Sequence, residues 1–407
     1  MNIGILSFEY PTETGFGGIG TYSYYHARAL VKLGHRVHVF AGSTRPGIFH
    51  SEHDGVRVTR IKNEGWLHHL LEPARARKCY WFNNRVETAH AMYLALRQSL
   101  KRERFDVIEA PECGADAAAV SLLLDVPIVV RFHSPARLIM PTYDTPKRDR
   151  QLTAFVEQIA IDRAEVRTAC SRFVADEVVS KMRVPEPVHV IPNGIDVELF
   201  DRNDDIDVYD RFGLPRDAVL VLFANRMEER KGIHLVGDLA ARVMARQPQV
   251  HVVLAGRDLF GYVANQLLPR MQERGLADRF HVLGGRDLGE VRALLKRTDI
   301  FLLPSIWENC PYSCIEAMTA GRAILASDCG GMPELIAHRE NGWLAKTGDA
   351  ESFAMGLEEL VESPALRERL GGAARSTVER RLTDVAVARR AVDVYATTGP
   401  LESAVRA

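Results

Sequence analysis

Short runs of apolar residues alternate with amphipathic segments along most of this chain. Such runs are typical of buried strands, and their alternation with helical segments is typical of βαβ units around a parallel sheet. The alternation occurs in two series, which predicts an α/β protein with two parallel sheets. The first series contains the strand-like runs 3–8, 37–40, 56–61, 105–110, 128–132 and 168–170, and the second contains 219–224, 250–255, 280–283, 300–303 and 323–326.

A polar segment separates the two series. It begins with the sequence IPNGID at 191–196 and continues into the acidic stretch 201–207, a composition typical of a connector. At 407 residues the chain also exceeds the size at which a single core stops growing. We therefore predict an N-terminal domain over 1–190, joined by a helical segment over 382–407, and a C-terminal domain over 191–381.

Composition excludes several classes of protein. Hydrophobic residues make up 46% of the chain and the formal net charge is -1, so no long-range attraction to nucleic acid is expected. The six cysteines form no C-x-x-C pair and are predicted to be reduced thiols. The sequence shows no basic segment typical of a signal peptide and no apolar run of about 18 residues. These features predict a cytoplasmic protein.

The segment Gly15 to Gly20 reads GFGGIG and matches the G-x-G-x-x-G spacing of a dinucleotide-binding loop. In that motif the first glycine directly follows a buried strand, whereas residues 9–14 intervene here. The second strand also runs into 41–44 without the acidic residue that would bind a ribose. We therefore predict no NAD site, but a flexible loop whose backbone can approach a phosphate or a sugar.

Asp205 and Asp207 form a D-x-D pair, a spacing that can hold a metal when it follows a buried strand. The preceding residues are polar and do not resemble a strand, so the pair is interpreted as part of a solvated linker. Cys310 and Cys314 lack further ligands at metal-binding spacing and are predicted to pack in the interior. No metal is expected.

The stretch 300–321 is the most informative in the chain. A buried strand ends near Pro304, and a helix is predicted to begin with Pro311 in its first turn and to stop at Gly321. Glu308 then lies in the loop beyond the strand and Glu316 in the second helical turn, with free N–H groups between them. A phosphate flanked by hydroxyls fits this layout, as in a sugar nucleotide. The alternative is an exposed loop and an exposed helix position.

A second pair of charged residues follows the strand 219–224. Arg226 and Lys231 lie at its carboxyl end, the edge where ligands of open α/β sheets bind. Arginine can bind two phosphate oxygens and lysine can neutralise another, which suits a diphosphate leaving group. The alternative is an exposed loop in which these cations pair with Glu228 and Glu229.

Taken together, these residues resemble the retaining glycosyltransferases of family four, which have the GT-B architecture of two facing Rossmann-like domains. The resemblance covers nearly the whole chain. The motifs that carry it are Gly17-Gly18, the segment 190–196, Arg226 with Lys231-Gly232, the pair Glu308 and Glu316 at E-x7-E spacing, Gly321 and the segment 330–335.

The resemblance implies roles for individual residues. Arg226 and Lys231 would hold the donor diphosphate, Glu308 the hydroxyls of the donor sugar and Glu316 the ribose. Cys310, Pro311, Tyr312 and Ser313 would line the donor site, Gly17 and Gly18 would approach the phosphates, and His133 would meet the transferred sugar. For His133 a packed or capping role is the alternative.

The chain departs from the family pattern at two places. Asn225 stands where the family commonly has a glycine, and Asn309 to Tyr312 replace a Phe-Gly pair. The second change alters the surroundings of the donor sugar, so the identity of that sugar is not implied.

The resemblance implies a metal-independent transfer of a hexose, with retention, from a UDP- or GDP-linked donor to a sugar, glycolipid or small-molecule acceptor. In the family a front-face route is usually proposed. A sugar phosphorylase or sugar-phosphate synthase of the same fold, and a non-catalytic nucleotide-sugar-binding protein, are the alternatives. The aromatic and basic segment 66–82 is interpreted as a packed helix, with peripheral contact at the inner face of the membrane as the alternative.

Overall fold

The structure is a computed structural model that describes residues 1–15, 17–63, 66–76, 78–202 and 205–398. It divides into two compact units: Met1–Gly194 with the chain from Asp384 onward, and Ile195–Thr383. The division after Gly194 differs from the predicted boundary at 190/191. The reason is that Ile191 belongs to the first unit, where it is buried in the core and its N–H donates to the carbonyl of Ala169 at 2.9 Å.

The first unit contains an eight-stranded sheet in the order β3-β4-β2-β1-β5-β6-β7-β8. All neighbours are parallel except β3, which pairs antiparallel with β4. The strands are β1 (Asn2–Leu6), β2 (Arg36–Gly42), β3 (Ile48–His53), β4 (Val56–Ile61), β5 (Val107–Pro111), β6 (Ile128–Phe132), β7 (Val166–Ala169) and β8 (Val188–Val190). Its helices are α1 (Gly18–Lys32), α2 (Trp66–Ala76), α3 (Tyr80–Ser99), α4 (Ala118–Leu123), α5 (Ala136–Ile139), α6 (Lys147–Arg163) and α7 (Arg172–Met182).

The second unit contains a six-stranded, fully parallel sheet in the order β11-β10-β9-β12-β13-β14. Its strands are β9 (Val219–Ala224), β10 (Val250–Ala255), β11 (Phe280–Gly284), β12 (Ile300–Leu303), β13 (Ala323–Ser327) and β14 (Trp343–Ala345). Its helices are α8 (Val197–Asp201), α9 (Val208–Phe212), α10 (Ile233–Arg246), α11 (Leu268–Glu273), α12 (Leu288–Leu295), α13 (Tyr312–Thr319), α14 (Met332–Leu335), α15 (Ala350–Glu362) and α16 (Pro364–Arg381).

The last helix, α17 (Asp384–Tyr395), returns to the first unit and packs against α1. Val387, Ala388, Ala391 and Tyr395 face the same core as the strands β1 and β2. These four positions have the i, i+1, i+4, i+8 spacing of one helical face, which is why the segment buries one side. The helix begins at Asp384, and the predicted segment from 399 onward lies outside the described residues.

Both sheets have a point where the strand order reverses. In the first sheet it lies between β1 and β5, and in the second between β9 and β12. Connections leave in opposite directions from such a point, so a crevice opens beyond the carboxyl ends of the two strands. The residues predicted to carry chemistry follow β1, β6, β9 and β12, and are therefore at or beside these crevices.

Candidate active site

Two loops of the second unit meet at its reversal point. The loop after β9 contains Arg226 and Lys231, and the loop after β12 contains Glu308. β9 and β12 are neighbours in the sheet although β10 and β11 lie between them in the chain. The structure therefore brings these three residues to one edge of one sheet.

Contact between the two loops requires a glycine at position 232. Gly232 has a φ of +76°, and a Cβ atom built on it would lie 1.9 Å from the carbonyl oxygen of Pro304. Beside this contact the N–H of Ile306 donates to the carbonyl of Arg230 at 2.9 Å. Only glycine tolerates both the backbone conformation and the approach. The Lys231-Gly232 pair thus fixes the lysine against the loop after β12.

Lys231 and Glu308 form a buried ion pair. Lys231 is 9% exposed and Glu308 is 4% exposed, and Nζ of the lysine contacts Oε1 of the glutamate. The same oxygen accepts a hydrogen bond from Ser305 Oγ at 2.8 Å. Burial lowers the pKa of Lys231, and the charge of Glu308 opposes that shift. The alternative of an exposed loop is therefore wrong for these two residues.

Arg226 has a different environment. Its side chain is 50% exposed, and Nη2 lies 3.2 Å from Oε1 of Glu228. Glu228 is buried and also accepts a hydrogen bond from Arg230 Nη2 at 3.1 Å. Arg226 thus pairs with Glu228, as expected if this segment were an exposed loop in which the cations pair with neighbouring glutamates. Half of its side chain nevertheless faces solvent, so its guanidinium can bind an anion.

Helix α13 begins one residue later than the sequence predicts, because Pro311 is the N-terminal cap residue instead of part of the first turn, and no side chain caps that turn. Glu316 lies on this helix and is partly buried. Burial raises the pKa of its carboxyl group to about 7, and Arg292 acts in the opposite direction. Among the described residues no hydrogen bond to this carboxyl group is recorded. A partly buried carboxyl group whose oxygens accept no hydrogen bond from the described residues can bind ligand hydroxyls.

The segment at the start of α13 is more buried than its polar sequence suggests. Cys310 and Tyr312 are buried, whereas Pro311 and Ser313 are partly exposed. Ser313 Oγ lies 3.4 Å from Oδ1 of Asn225, the residue that replaces the usual glycine of the family. The amide at position 225 therefore links the loop after β9 to the start of α13.

The two glycines at the start of α1 differ in their surroundings. A Cβ atom on Gly17 would lie 2.6 Å from Oε2 of Glu9, whereas a Cβ atom on Gly18 would meet nothing within 4 Å. The Glu9 carboxyl group therefore packs against Gly17, and open space lies at Gly18. Phe16 lies outside the described residues.

His133 follows β6 in the first unit and is 7% exposed. Its backbone N–H donates to both oxygens of Glu112, at 3.0 and 2.9 Å, and the N–H of Ser134 donates to Oε1 at 2.5 Å. Burial, together with the nearby Arg131 and His26, lowers the pKa of His133 well below its usual value. The histidine is therefore neutral at physiological pH, and the buried carboxyl group of Glu112 holds its backbone in place.

Sequence reasoning missed the buried groups around His133. Glu109 and Arg131 lie inside the apolar runs of β5 and β6, and Glu112 directly follows β5. A charged residue within a buried strand is unfavourable unless it has a partner. The sequence alone could therefore have predicted that these residues are paired in the interior. Tyr395 carried no such signal, because it joins the group only after α17 has returned to the first unit.

The D-x-D pair is interpreted from its sequence as part of a solvated linker, and the structure gives Asp207 the role of a helix cap. Asp207 caps α9 by accepting hydrogen bonds from the N–H groups of Tyr209 and Asp210, and it pairs with Arg216 at 2.7 Å. Within the described ranges no three His, Cys, Asp or Glu side chains are arranged to hold a metal ion.

The aromatic segment 66–82 falls on α2 and the start of α3. Leu70, Tyr80 and Trp81 expose much of their side chains. The side chain of Arg75 and the whole of Arg77 lie outside the described residues. Of the helices that the structure describes, none has the length and apolar character needed to cross a membrane.

Two sequence-family models match the chain. Residues 16–199 match the model described as "Glycosyltransferase Family 4", and residues 208–377 match the model described as "Glycosyl transferases group 1". The second match lies within the second unit, the first lies in the first unit except for residues 195–199, and together they cover most of the chain.

Individual proteins show the same similarity. The α-maltose-1-phosphate synthase of Mycobacterium tuberculosis is 27% identical over 97% of this chain and 99% of its own length. The sucrose-phosphate synthase of Thermosynechococcus elongatus has a similar fold, with a TM-score of 0.77, 21% identity and coverage of 97% of this chain and 98% of that chain. Anabaena HepE, solved in complex with UDP-glucose, gives a TM-score of 0.73, 19% identity and coverage of 98% and 100%.

Proposed function

This chain belongs to the family-four glycosyltransferases, which have the GT-B fold, and we propose that it transfers a hexose from a UDP- or GDP-linked donor to an acceptor hydroxyl with retention. The observation that carries the proposal is the buried Lys231–Glu308 pair beside the half-exposed Arg226. A carboxylate can accept hydroxyls of a sugar, and two cations can neutralise a diphosphate. A nucleoside diphosphate sugar presents both groups in one molecule.

The proposed roles of the other residues follow the same chemistry. Glu316 binds the ribose hydroxyls, since no hydrogen bond to its carboxyl group is recorded among the described residues. Cys310, Pro311, Tyr312 and Ser313 line the donor site at the start of α13, where free N–H groups favour an anion. In the first unit, the backbone at Gly17 and Gly18 approaches the phosphates, and His133 meets the transferred sugar.

The proposed reaction needs no metal ion. The bond between the anomeric carbon and the donor phosphate oxygen breaks, and Arg226, Lys231 and the N-terminus of α13 stabilise the negative charge on the leaving diphosphate. The acceptor oxygen bonds to the anomeric carbon on the same face, and its proton passes to the leaving phosphate oxygen. Retention results because attack and departure share one face.

The similar proteins support this proposal in two respects. The mycobacterial relative is named as an α-maltose-1-phosphate synthase, and a protein of similar fold was solved with UDP-glucose, so the similar proteins include a sugar synthase and a binder of a nucleotide sugar. The names of this relative and of the Thermosynechococcus elongatus protein both describe sugar-phosphate synthases. A sugar-phosphate acceptor is therefore the second candidate.

A transfer assay tests the proposal. The protein is incubated with UDP-glucose, GDP-mannose or ADP-glucose, with free or phosphorylated sugars as acceptors, and with or without EDTA. We expect an α-linked product by proton NMR with a UDP- or GDP-linked donor, and the same rate in EDTA. A product formed only from phosphorylated sugars identifies the second candidate. A β-linked product overturns the proposal of retention. Binding of nucleotide without transfer or hydrolysis overturns the proposal that the protein is an enzyme.

We place this reaction in the cytoplasm, and a lipid-linked acceptor at the inner face of the membrane is a further alternative. The exposed Leu70, Tyr80 and Trp81 favour that alternative, because these side chains can enter a lipid interface. Flotation with liposomes tests it. Binding that falls when Arg75, Arg77 and Lys78 are neutralised supports membrane contact through this segment, and flotation independent of these residues removes this segment as the contact.

A further inference from the structure

Arg131 is the largest fully buried side chain of the described chain, and it lies two residues before His133. Its Nη2 donates to the carbonyl of Ile191 at 2.9 Å, to Oδ1 of Asn193 at 3.0 Å and, at 3.4 Å, to the carbonyl of Pro192. These three residues begin the connector between the two units and directly precede Gly194, after which the chain enters the second unit. One guanidinium therefore binds the first residues of the connector.

The same guanidinium lies over an aromatic ring. Its carbon is 4.0 Å from the ring centroid of Tyr22, close enough for a cation–π interaction. The Tyr22 ring in turn meets His133 edge to face, with 5.0 Å between ring centroids, and stacks on His26 at 4.9 Å. Tyr22 thus contacts both Arg131 and the imidazole of His133.

Buried hydrogen bonds fix the Tyr22 ring in its position. Its hydroxyl donates to Oε1 of Glu109 at 2.8 Å, and the hydroxyl of Tyr395, at the end of α17, donates to Oε2 of the same carboxylate. The Tyr395 oxygen lies 2.8 Å from Nε2 of His26 and can accept a hydrogen bond from it. All these side chains are buried, so Glu109 and Arg131 both contact Tyr22 away from water. Such a cluster has few alternative arrangements.

We propose that Arg131 is a positioning residue for the transfer reaction. Through Tyr22 it sets the orientation of His133, and through its own hydrogen bonds it links that orientation to residues 191–193. The inference rests on the proposed function in one respect, namely that His133 meets the transferred sugar. It adds that the imidazole is held by a buried network rather than by local packing alone. Arg131 does not touch the substrate, and its effect passes through the Tyr22 ring.

The kinetic test compares Arg131→Met with a matched arginine. Arg367 in the second unit also donates to two carbonyls, of Leu360 at 2.8 Å and Val361 at 2.9 Å, and Arg367→Met is the control. We expect Arg131→Met to lower kcat about 10-fold to 100-fold, because misplacement of a group near the reacting atoms slows catalysis by this order. The donor KM should stay within about twofold, because the two cations proposed to hold the diphosphate, Arg226 and Lys231, belong to the second unit. Arg367→Met should change neither constant.

A pair of Tyr22 variants separates the ring from its hydroxyl. Tyr22→Phe keeps the ring over which Arg131 lies, and we expect most of the kcat to remain. Tyr22→Leu removes the ring and should reproduce the loss seen with Arg131→Met. If Arg131→Met does not fold, this pair carries the same comparison. Equal kcat in Tyr22→Phe and Tyr22→Leu would overturn the proposal.

Histidine-labelled protein gives a readout that does not depend on activity. The His133 cross-peak, assigned from the spectrum of His133→Gln, is expected to be displaced by the nearby Tyr22 ring in the wild type. It should move toward the position of a free histidine in Arg131→Met and stay unchanged in Arg367→Met. An unchanged cross-peak in Arg131→Met contradicts the inference. A displaced cross-peak in a protein that transfers no sugar contradicts the proposed function and leaves the positioning intact.

Discussion

The carboxyl edges of the two sheets are built differently. In the second unit the predicted donor residues lie on two adjacent loops, and the charges of Lys231 and Glu308 neutralise each other directly. In the first unit His133 is surrounded by groups from β5, β6, α1 and α17, and the carboxyl groups of Glu112 and Asp116 are buried with raised pKa values. The comparison shows that Lys231 and Glu308 meet through two neighbouring loops alone, whereas the surroundings of His133 are assembled from four elements spread over the first unit.

The largest effect is expected from the buried pair of the second unit. Lys231→Met leaves Glu308 buried without its cation, which should lower the free energy of unfolding by about 3–5 kcal/mol. It should also slow transfer by about two to three orders of magnitude, because the leaving diphosphate loses a cation that stabilises its negative charge. Transfer rates and denaturant unfolding measure the two effects.

The double variant Lys231→Met with Glu308→Gln separates stability from function. It removes both charges, so stability should largely return while transfer stays low. Lys181→Met is the control, because Lys181 and Glu177 form an exposed pair within one helix and contribute at most about 1 kcal/mol. Recovery of transfer in the double variant would show that the pair has only a structural role.

The contact between the two donor loops gives the next largest effect. Gly232→Ala places a Cβ atom at the Pro304 carbonyl, so the backbone must move, and we expect a loss of at least about 3 kcal/mol. Gly213 also has a positive φ, +64°, but a Cβ atom there meets nothing within 4 Å. Gly213→Ala should therefore lose only about 1–2 kcal/mol, from backbone strain alone. Equal losses in chemical denaturation would show that the loop contact is unimportant.

The crowded carboxyl groups of the first unit should make stability depend on pH. Burial raises the pKa of Asp116 to about 7, so the folded state retains a proton that the unfolded state has already released. Stability is therefore full below the unfolded pKa and falls as pH rises through the interval up to about 7, by at most about 1.4 kcal/mol per pH unit for one group. Asp116→Asn should make this fall shallower.

Denaturant unfolding from pH 5 to pH 9 measures the slope. Asp176→Asn removes an exposed carboxylate on α7 and should leave it as in the wild type. A slope in Asp116→Asn equal to that of the wild type would show that this carboxyl group does not retain the extra proton.

The smallest effect is expected at the D-x-D pair. Asp207→Ala removes the cap of α9 and should lower stability by about 1 kcal/mol without changing transfer, in EDTA or in magnesium. A loss of transfer that magnesium restores would instead assign a metal to this pair.

Much of the second unit could be predicted because its determinants are local. The apolar runs predicted β9 to β13, and Pro311 and Gly321 predicted the ends of α13. β14 was missed because it has only three residues, and β3 was missed because most of its side chains are exposed and polar. Apolar periodicity is absent in both, so the sequence contains no signal for them.

The environments of the site residues were harder to predict than their positions. The spacing placed Gly17 in an open loop, but Glu9 packs against it, and that contact exists only in three dimensions. The same holds for Tyr395, which reaches Glu109 from the far end of the chain. Residues that position other side chains need not belong to a sequence motif. They are identified only when burial and hydrogen bonds are known.

Thermal unfolding with UDP, GDP, ADP or NAD, each with and without EDTA, tests the central claim most directly. A nucleotide at about 100 times its dissociation constant adds about 2.7 kcal/mol to the stability of a protein that binds it in the folded state alone. We predict a higher midpoint with UDP or GDP, equal with and without EDTA, and no such shift in Lys231→Met with Glu308→Gln. Stabilisation by NAD alone, or an equal shift in the double variant, would contradict the account.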